Sequence, residues 1–185
     1  MKRDAPTDKA AQQLTRLLLT NRDFQLALSA VTFLLEDVDW TESYRLPDLR
    51  RFYCYEAAMV ISYARPFVHS RGGVRPFIWK DISEKLSKSE LALHDKLVLD
   101  RNKLVAHSDA DYVVVQRIVL RTHFPDGGIH DFATPRFNTE IRLTYDQCRT
   151  AETLLHRAMG EILTRIQELK HSDGGGFRIM DLGEV

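Results

Sequence analysis

Ser87-Lys88-Ser89-Glu90-Leu91-Ala92-Leu93-His94-Asp95-Lys96-Leu97-Val98-Leu99-Asp100-Arg101-Asn102-Lys103-Leu104-Val105-Ala106-His107 is the stretch on which the fold turns. Ser87 followed three residues later by Glu90 makes a capping-box pattern ahead of an apolar periodic run, and predicts a helix from about Lys88 to His107. At about 100° per residue, Leu93, Leu97 and Leu104 fall on one apolar stripe and Val98 and Val105 on a second, with Arg101 between them. A guanidinium keeps its proton and is costly to bury alone, so Arg101 must reach an edge, meet a carboxylate or hold an anion. His107 lies six residues further on, near the expected end of the helix.

Working outward, the same periodicity predicts helices over Thr7–Leu19 and Asn21–Val38, the second with Phe24, Leu28, Val31, Leu35 and Val38 on one stripe. Pro47 suits a first helical turn, and Asp48–Ala64 continues as a third helix until Pro66 stops it. In that helix Glu56 falls inside the apolar arc of Phe52, Met59, Val60 and Tyr63, so it also needs a partner. A Glu56–Arg101 ion pair between helices is the economical structural reading, with His107 then a cation at a helix C-terminus.

Beyond Asp109–Asp111, Tyr112–Leu120 is rich in β-branched residues and Asn138–Tyr145 alternates similarly, with Asp126-Gly127-Gly128 as a turn. These predict a small antiparallel element inserted at about 112–145. Thr144 with Gln147 repeats the capping-box logic before a long amphipathic helix that carries Cys148, Ala151, Leu155, Ala158, Ile162, Ile166 and Leu169 and ends near Lys170. The expected organisation is one mainly α domain over 1–173, with a flexible tail over 174–185 that offers Phe177, Ile179 and Leu182 to a neighbour.

Lys plus Arg equals Asp plus Glu at 26 each, so net charge supplies no steering field toward nucleic acid, and any RNA binding needs a local basic patch. Arg71, Arg75 and Lys80 around Gly72-Gly73 are candidates for one, and a solvated loop is the plain alternative. Cys54 and Cys148 stand far apart, which suits reduced thiols and a cytoplasmic setting; no run approaches the roughly 18 apolar residues of a membrane span. His123, His130 and Asp131 beside the turn invite a metal site, but exposed hairpin polarity explains them better. Neither glycine cluster has a phosphate-loop context, and no serine-nucleophile motif occurs.

The segment Arg101-Asn102-Lys103-Leu104-Val105-Ala106-His107-Ser108-Asp109 resembles the signature of the HEPN superfamily, Arg and His separated by four to six residues near the end of a bundle helix. The resemblance covers one helix by motif and the other helices by architecture only. It implies a HEPN-like helical bundle that dimerises by bringing two such helices together. It also implies a metal-independent endoribonuclease acting on single-stranded RNA, as in toxin–antitoxin or phage-defence systems, or alternatively a non-catalytic binding or assembly module. In the first case Arg101 and His107 are the catalytic pair, with Asn102, Lys103 and Glu56 supporting or contacting RNA. Histidine moves protons near neutrality, and arginine's planar donors suit a phosphate with developing charge. No cofactor or metal is needed, since the attacking hydroxyl belongs to the RNA, and a restraining partner protein is a further expectation.

Overall fold

The computed structural model of the chain describes residues 5–69, 75–82, 85–105, 115–125, 127–137 and 141–172. The protein is mainly helical. Among the described residues four α-helices, α1 (Ala5–Asp37), α2 (Leu46–Ala64), α3 (Lys88–Val105) and α4 (Tyr145–Ser172), accompany one antiparallel pair, β1 (Val115–His123) and β2 (Ile129–Phe137). Helix α1 lies against both α2 and α4, α2 meets α3, and α3 meets α4, so the helices close a ring around one core. Leu17, Phe24, Val31 and Leu34 of α1, Phe52, Met59 and Tyr63 of α2, Leu97 of α3 and Leu154, Leu155 and Ile162 of α4 are essentially sealed in it.

The two helices expected before residue 38 are one. Thr20 is fully buried and Asn21 half-buried, so the residues at the anticipated break sit on or beside the inner arc of α1. A propensity cost of roughly half a kcal/mol at such residues is small beside continuous packing on two neighbouring helices. Helix α2 begins at Leu46 with Pro47 in its first turn, and ends in a 3₁₀ turn, Arg65–Phe67, that buries Pro66. Arg65 reaches back to Asp23 of α1 at 2.7 Å, fixing the α1–α2 hairpin at its open end.

Both predicted capping boxes are present. Ser87 N–H donates to Glu90 Oε2 at 2.8 Å while Glu90 N–H donates to Ser87 Oγ at 3.3 Å. Thr144 N–H donates to Gln147 Oε1 at 3.1 Å and Gln147 N–H to Thr144 Oγ1 at 3.3 Å. Each satisfies two amides that the first helical turn leaves without a carbonyl. Glu90 also accepts from Arg157 of α4 at 2.9 Å, so the start of α3 is held across the bundle as well as along itself.

The small β element is a hairpin, but its second strand lies earlier than Asn138–Tyr145. Pairing runs from His123↔Ile129 to Val115↔Phe137 and resumes directly after the turn. There Phe124 N–H donates to Gly128 O at 2.9 Å, and Gly127 adopts φ 84°, a left-handed conformation suited to glycine. Pro135 opposite Arg117 is tolerated because a two-stranded sheet has only edge strands. Residues 141–144 do not form strand. The amides of Arg142 and Leu143, which a ladder would have used, go instead to a side chain of α2.

Among the described residues no helix is long and apolar enough to cross a membrane.

Candidate functional site

Arg101 and Asn102 stand at the C-terminal end of α3, on the last described turn of that helix. The apolar stripe behaves as its spacing requires: Leu93 and Leu97 are buried, whereas Leu99 on the opposite side is 49% exposed. Arg101 is half-buried, and its Nη1 donates to the exposed Asn102 Oδ1 at 3.0 Å. Lys103 is half-buried beside it. Among the described residues Arg101 meets no carboxylate; the acidic residue just before it, Asp100, is itself buried and bound to Lys96. His107, with Ser108 and Asp109, lies outside the described residues, and so does Arg71.

Glu56 has other partners than Arg101. Its carboxylate is 1% exposed, and Oε1 accepts the N–H groups of Arg142 and Leu143, each at 2.7 Å. Oε2 has no hydrogen-bond partner among the described residues. Burial pushes this carboxyl above its ordinary range, opposed by the Leu143 and Arg142 amides and by the charges of Lys96 and Arg142. Leu143 is gripped a second time through its carbonyl, which accepts from Trp40 Nε1 at 3.2 Å. The ion-pair alternative is thereby replaced by a clamp: Glu56 pins the segment leading into α4 onto the middle of α2. The neighbouring Cys148 thiol, fully buried, is pushed up to about 12 by burial and by Glu56, which makes it an inert core group.

His94 went unremarked in the sequence, yet it shares a side of α3 with Arg101 seven residues later, about 10 Å along the axis. Its ring lies edge-on to Phe67 at 4.5 Å and beside Tyr63 and Trp79, and its Nδ1 shares a hydrogen bond with the Tyr63 hydroxyl at 3.2 Å. Burial holds this imidazole below its usual range, so it stays neutral near pH 7. The signal that would have found it is its spacing from Leu97 and Arg101, one polar ring on an arc that faces α2.

Other sequence candidates are settled locally. Arg75 is held by both oxygens of Asp81, at 2.9 and 2.5 Å, and so is committed to its own loop. Asp131 takes a two-pronged contact from Arg121 across the hairpin, at 2.9 and 3.0 Å, and the His130 ring rests against Phe124. Among the described residues no three His, Cys, Asp or Glu side chains stand together as a metal site would need. A groove of about 330 Å³, lined by Ser89, Ala92, Leu93, Asp146, Gln147 and Thr150, opens between the first turns of α3 and α4. Ser89 is about 18 Å along the helix from Arg101, so that groove and the motif are at opposite ends of α3. Comparison of the chain with protein-family models, with curated proteins and with solved structures finds no match.

Proposed function

We propose that this chain is a HEPN-like, metal-independent endoribonuclease acting on single-stranded RNA at the C-terminal end of α3. Arg101 holds the scissile phosphate, His107 moves the proton of the ribose 2′-hydroxyl or of the leaving oxygen, and Asn102 orients Arg101. The observation that carries this reading is the state of Arg101: a guanidinium at the edge of a helical bundle, steadied by Asn102 and, among the described residues, not consumed by an acid. A phosphate is the kind of anion such a planar donor set accommodates. His107 enters by its place in the sequence and by the motif resemblance.

One Arg/His pair covers a phosphate and its two bridging oxygens poorly, so the reading includes a homodimer that brings two α3 ends together. Exposed Leu91 and Leu99, each 49% accessible, give α3 an apolar outer side, but Leu99 lies about 200° around the helix from Arg101 and does not bring the two sites together. The same two leucines favour the second reading, a non-catalytic assembly module using this helix.

The deciding experiment incubates wild type, Arg101→Ala and His107→Ala with a panel of single-stranded RNAs in excess chelator. Cleavage by wild type that both variants lose, while remaining folded with unchanged mass, is the expected result. Wild type inert on every RNA, or variants as active as wild type, overturns the enzyme and leaves the assembly module. Leu99→Glu should halve the solution mass if α3 is the interface.

A further inference from the structure

Thr20 and Asn21, the polar pair inside the continuous helix α1, are not accounted for by the core. A helical hydroxyl has a ready acceptor in the carbonyl four residues back, and Thr15, Ser29, Thr150, Thr153 and Thr164 all use it. Thr20 is fully buried, yet its Oγ1 has no hydrogen-bond partner among the described residues, and neither does the sealed Oδ1 of Asn21. The two tryptophans differ in the same way. Trp40 Nε1 donates to the Leu143 carbonyl at 3.2 Å, whereas the sealed Nε1 of Trp79 meets no acceptor among the described residues. A sealed polar atom left without a partner forfeits its hydration for nothing, so such atoms point to a bound group.

Helical geometry directs the three to one spot. Phe24 lies one turn beyond Thr20 and Asn21, and around the helix its direction falls between theirs, about 40° from Thr20 and about 60° from Asn21. The indole of Trp79, in the 3₁₀ turn Trp79–Ile82, stacks on that same Phe24 ring at 6.1 Å. Arg75 and Asp81, on either side of Trp79, lie close enough to Arg16, one turn before Thr20, to act on its charge. The segment 75–81 therefore crosses α1 over residues 16–24, with Thr20 between its two points of approach. We propose that an ordered water is bound there, one turn before Phe24, between Thr20 and Asn21 and against the edge of the Trp79 indole. It accepts the N–H of Trp79 and the O–H of Thr20 and donates to Asn21 Oδ1, the usual three hydrogen bonds of a buried water. All three protein groups are neutral and offer two donors and one acceptor, a set that fits water rather than an ion. The water ties the 75–82 segment to α1, and it does not depend on the RNA site proposed above.

A crystal structure of the full chain that resolves solvent should show a water within about 3.2 Å of all three atoms. A dry gap, or a direct hydrogen bond between Trp79 and Thr20, overturns the proposal. In solution Thr20→Val keeps the shape of the side chain and removes its hydroxyl, and should lower the thermal midpoint by about 3 °C. Asn21→Ala should lower it as well, and the double variant by less than the sum, because either change releases the shared water. A Thr20→Val midpoint that is unchanged or raised, as removal of an unbound hydroxyl would make it, overturns the proposal, and so do strictly additive losses. Should a variant fail to fold, the wild-type crystal structure still decides.

Discussion

Glu56 in the middle of α2 and Arg101 at the end of α3 carry the same signature in the sequence, a charged side chain on an apolar helical arc, and the fold treats them oppositely. Glu56 is sealed, 1% exposed, with one oxygen on two backbone amides. Arg101 is half-buried, with its guanidinium turned to the side chain of the next residue. A buried charge is tolerable only where partners replace its water. In the middle of α2 the chain brings those partners from residues 142 and 143, whereas the end of α3 lies close enough to solvent for a long side chain to keep its head partly wet. A charge on an apolar arc therefore marks a site of function only after the packing around it is known.

The largest effect should come from the sealed member. Glu56→Ala leaves the Arg142 and Leu143 amides without their acceptor and should destabilise the chain by about 3 kcal/mol, read from urea unfolding. A loss under about 0.5 kcal/mol would mean that the clamp is not holding the segment before α4, and would remove the contrast with Arg101.

Glu56→Gln sharpens the same point, because an amide oxygen can still accept both N–H groups. It should cost about 1 kcal/mol at acid pH. Since burial raises the folded carboxyl above its ordinary 4.5, the unfolded chain loses this proton first, and the group's stabilising contribution is full below pH 4.5 and lost as pH rises through the folded value. Stability curves of wild type and Glu56→Gln should accordingly converge, or cross in favour of Gln, as pH rises above 4.5. Parallel curves would break the assignment.

His94 provides a control on the same helix as Arg101. Its folded pKa lies below the ordinary 6.5, so its contribution is full above 6.5 and is lost as pH falls below it. His94→Leu gives up the Tyr63 hydrogen bond and should cost about 1 kcal/mol at pH 8, with the gap from wild type narrowing below pH 6.5. A gap that widens on acidification would show that the imidazole is charged in the fold.

The smallest stability change belongs to Arg101→Ala, within about 0.5 kcal/mol of wild type, because no buried partner is orphaned. Thermal unfolding should be nearly superimposable with wild type even where RNA cleavage is lost. A drop as large as that of Glu56→Ala would make Arg101 a second structural clamp and sink the functional contrast.

Much of the helical frame was legible because its determinants are local. Capping boxes at Ser87 and Thr144 set helix starts within a residue or two, and Pro47 and Pro66 bracket α2. The misreadings fall where a distant contact outweighs a local preference. Thr20 and Asn21 read as a break yet lie within a helix flanked along its length by α2 and α4. The stretch Asn138–Tyr145 alternates like a strand, but the amides of Arg142 and Leu143 are taken by Glu56, 86 and 87 residues away in sequence.

By itself the sequence determined which segments coil, where they are capped, and that Arg101 and Glu56 each required an explanation, since periodicity, caps and turn residues act over a few positions. Only the tertiary structure decided that Glu56 answers to Leu143 rather than to Arg101, that His94 sits among Tyr63, Phe67 and Trp79, and that Leu19, Leu26 and Phe33 stay outside the core. Each depends on which helix faces which, and the apolar stripes of four amphipathic helices are too alike in sequence to specify their neighbours until they are packed together.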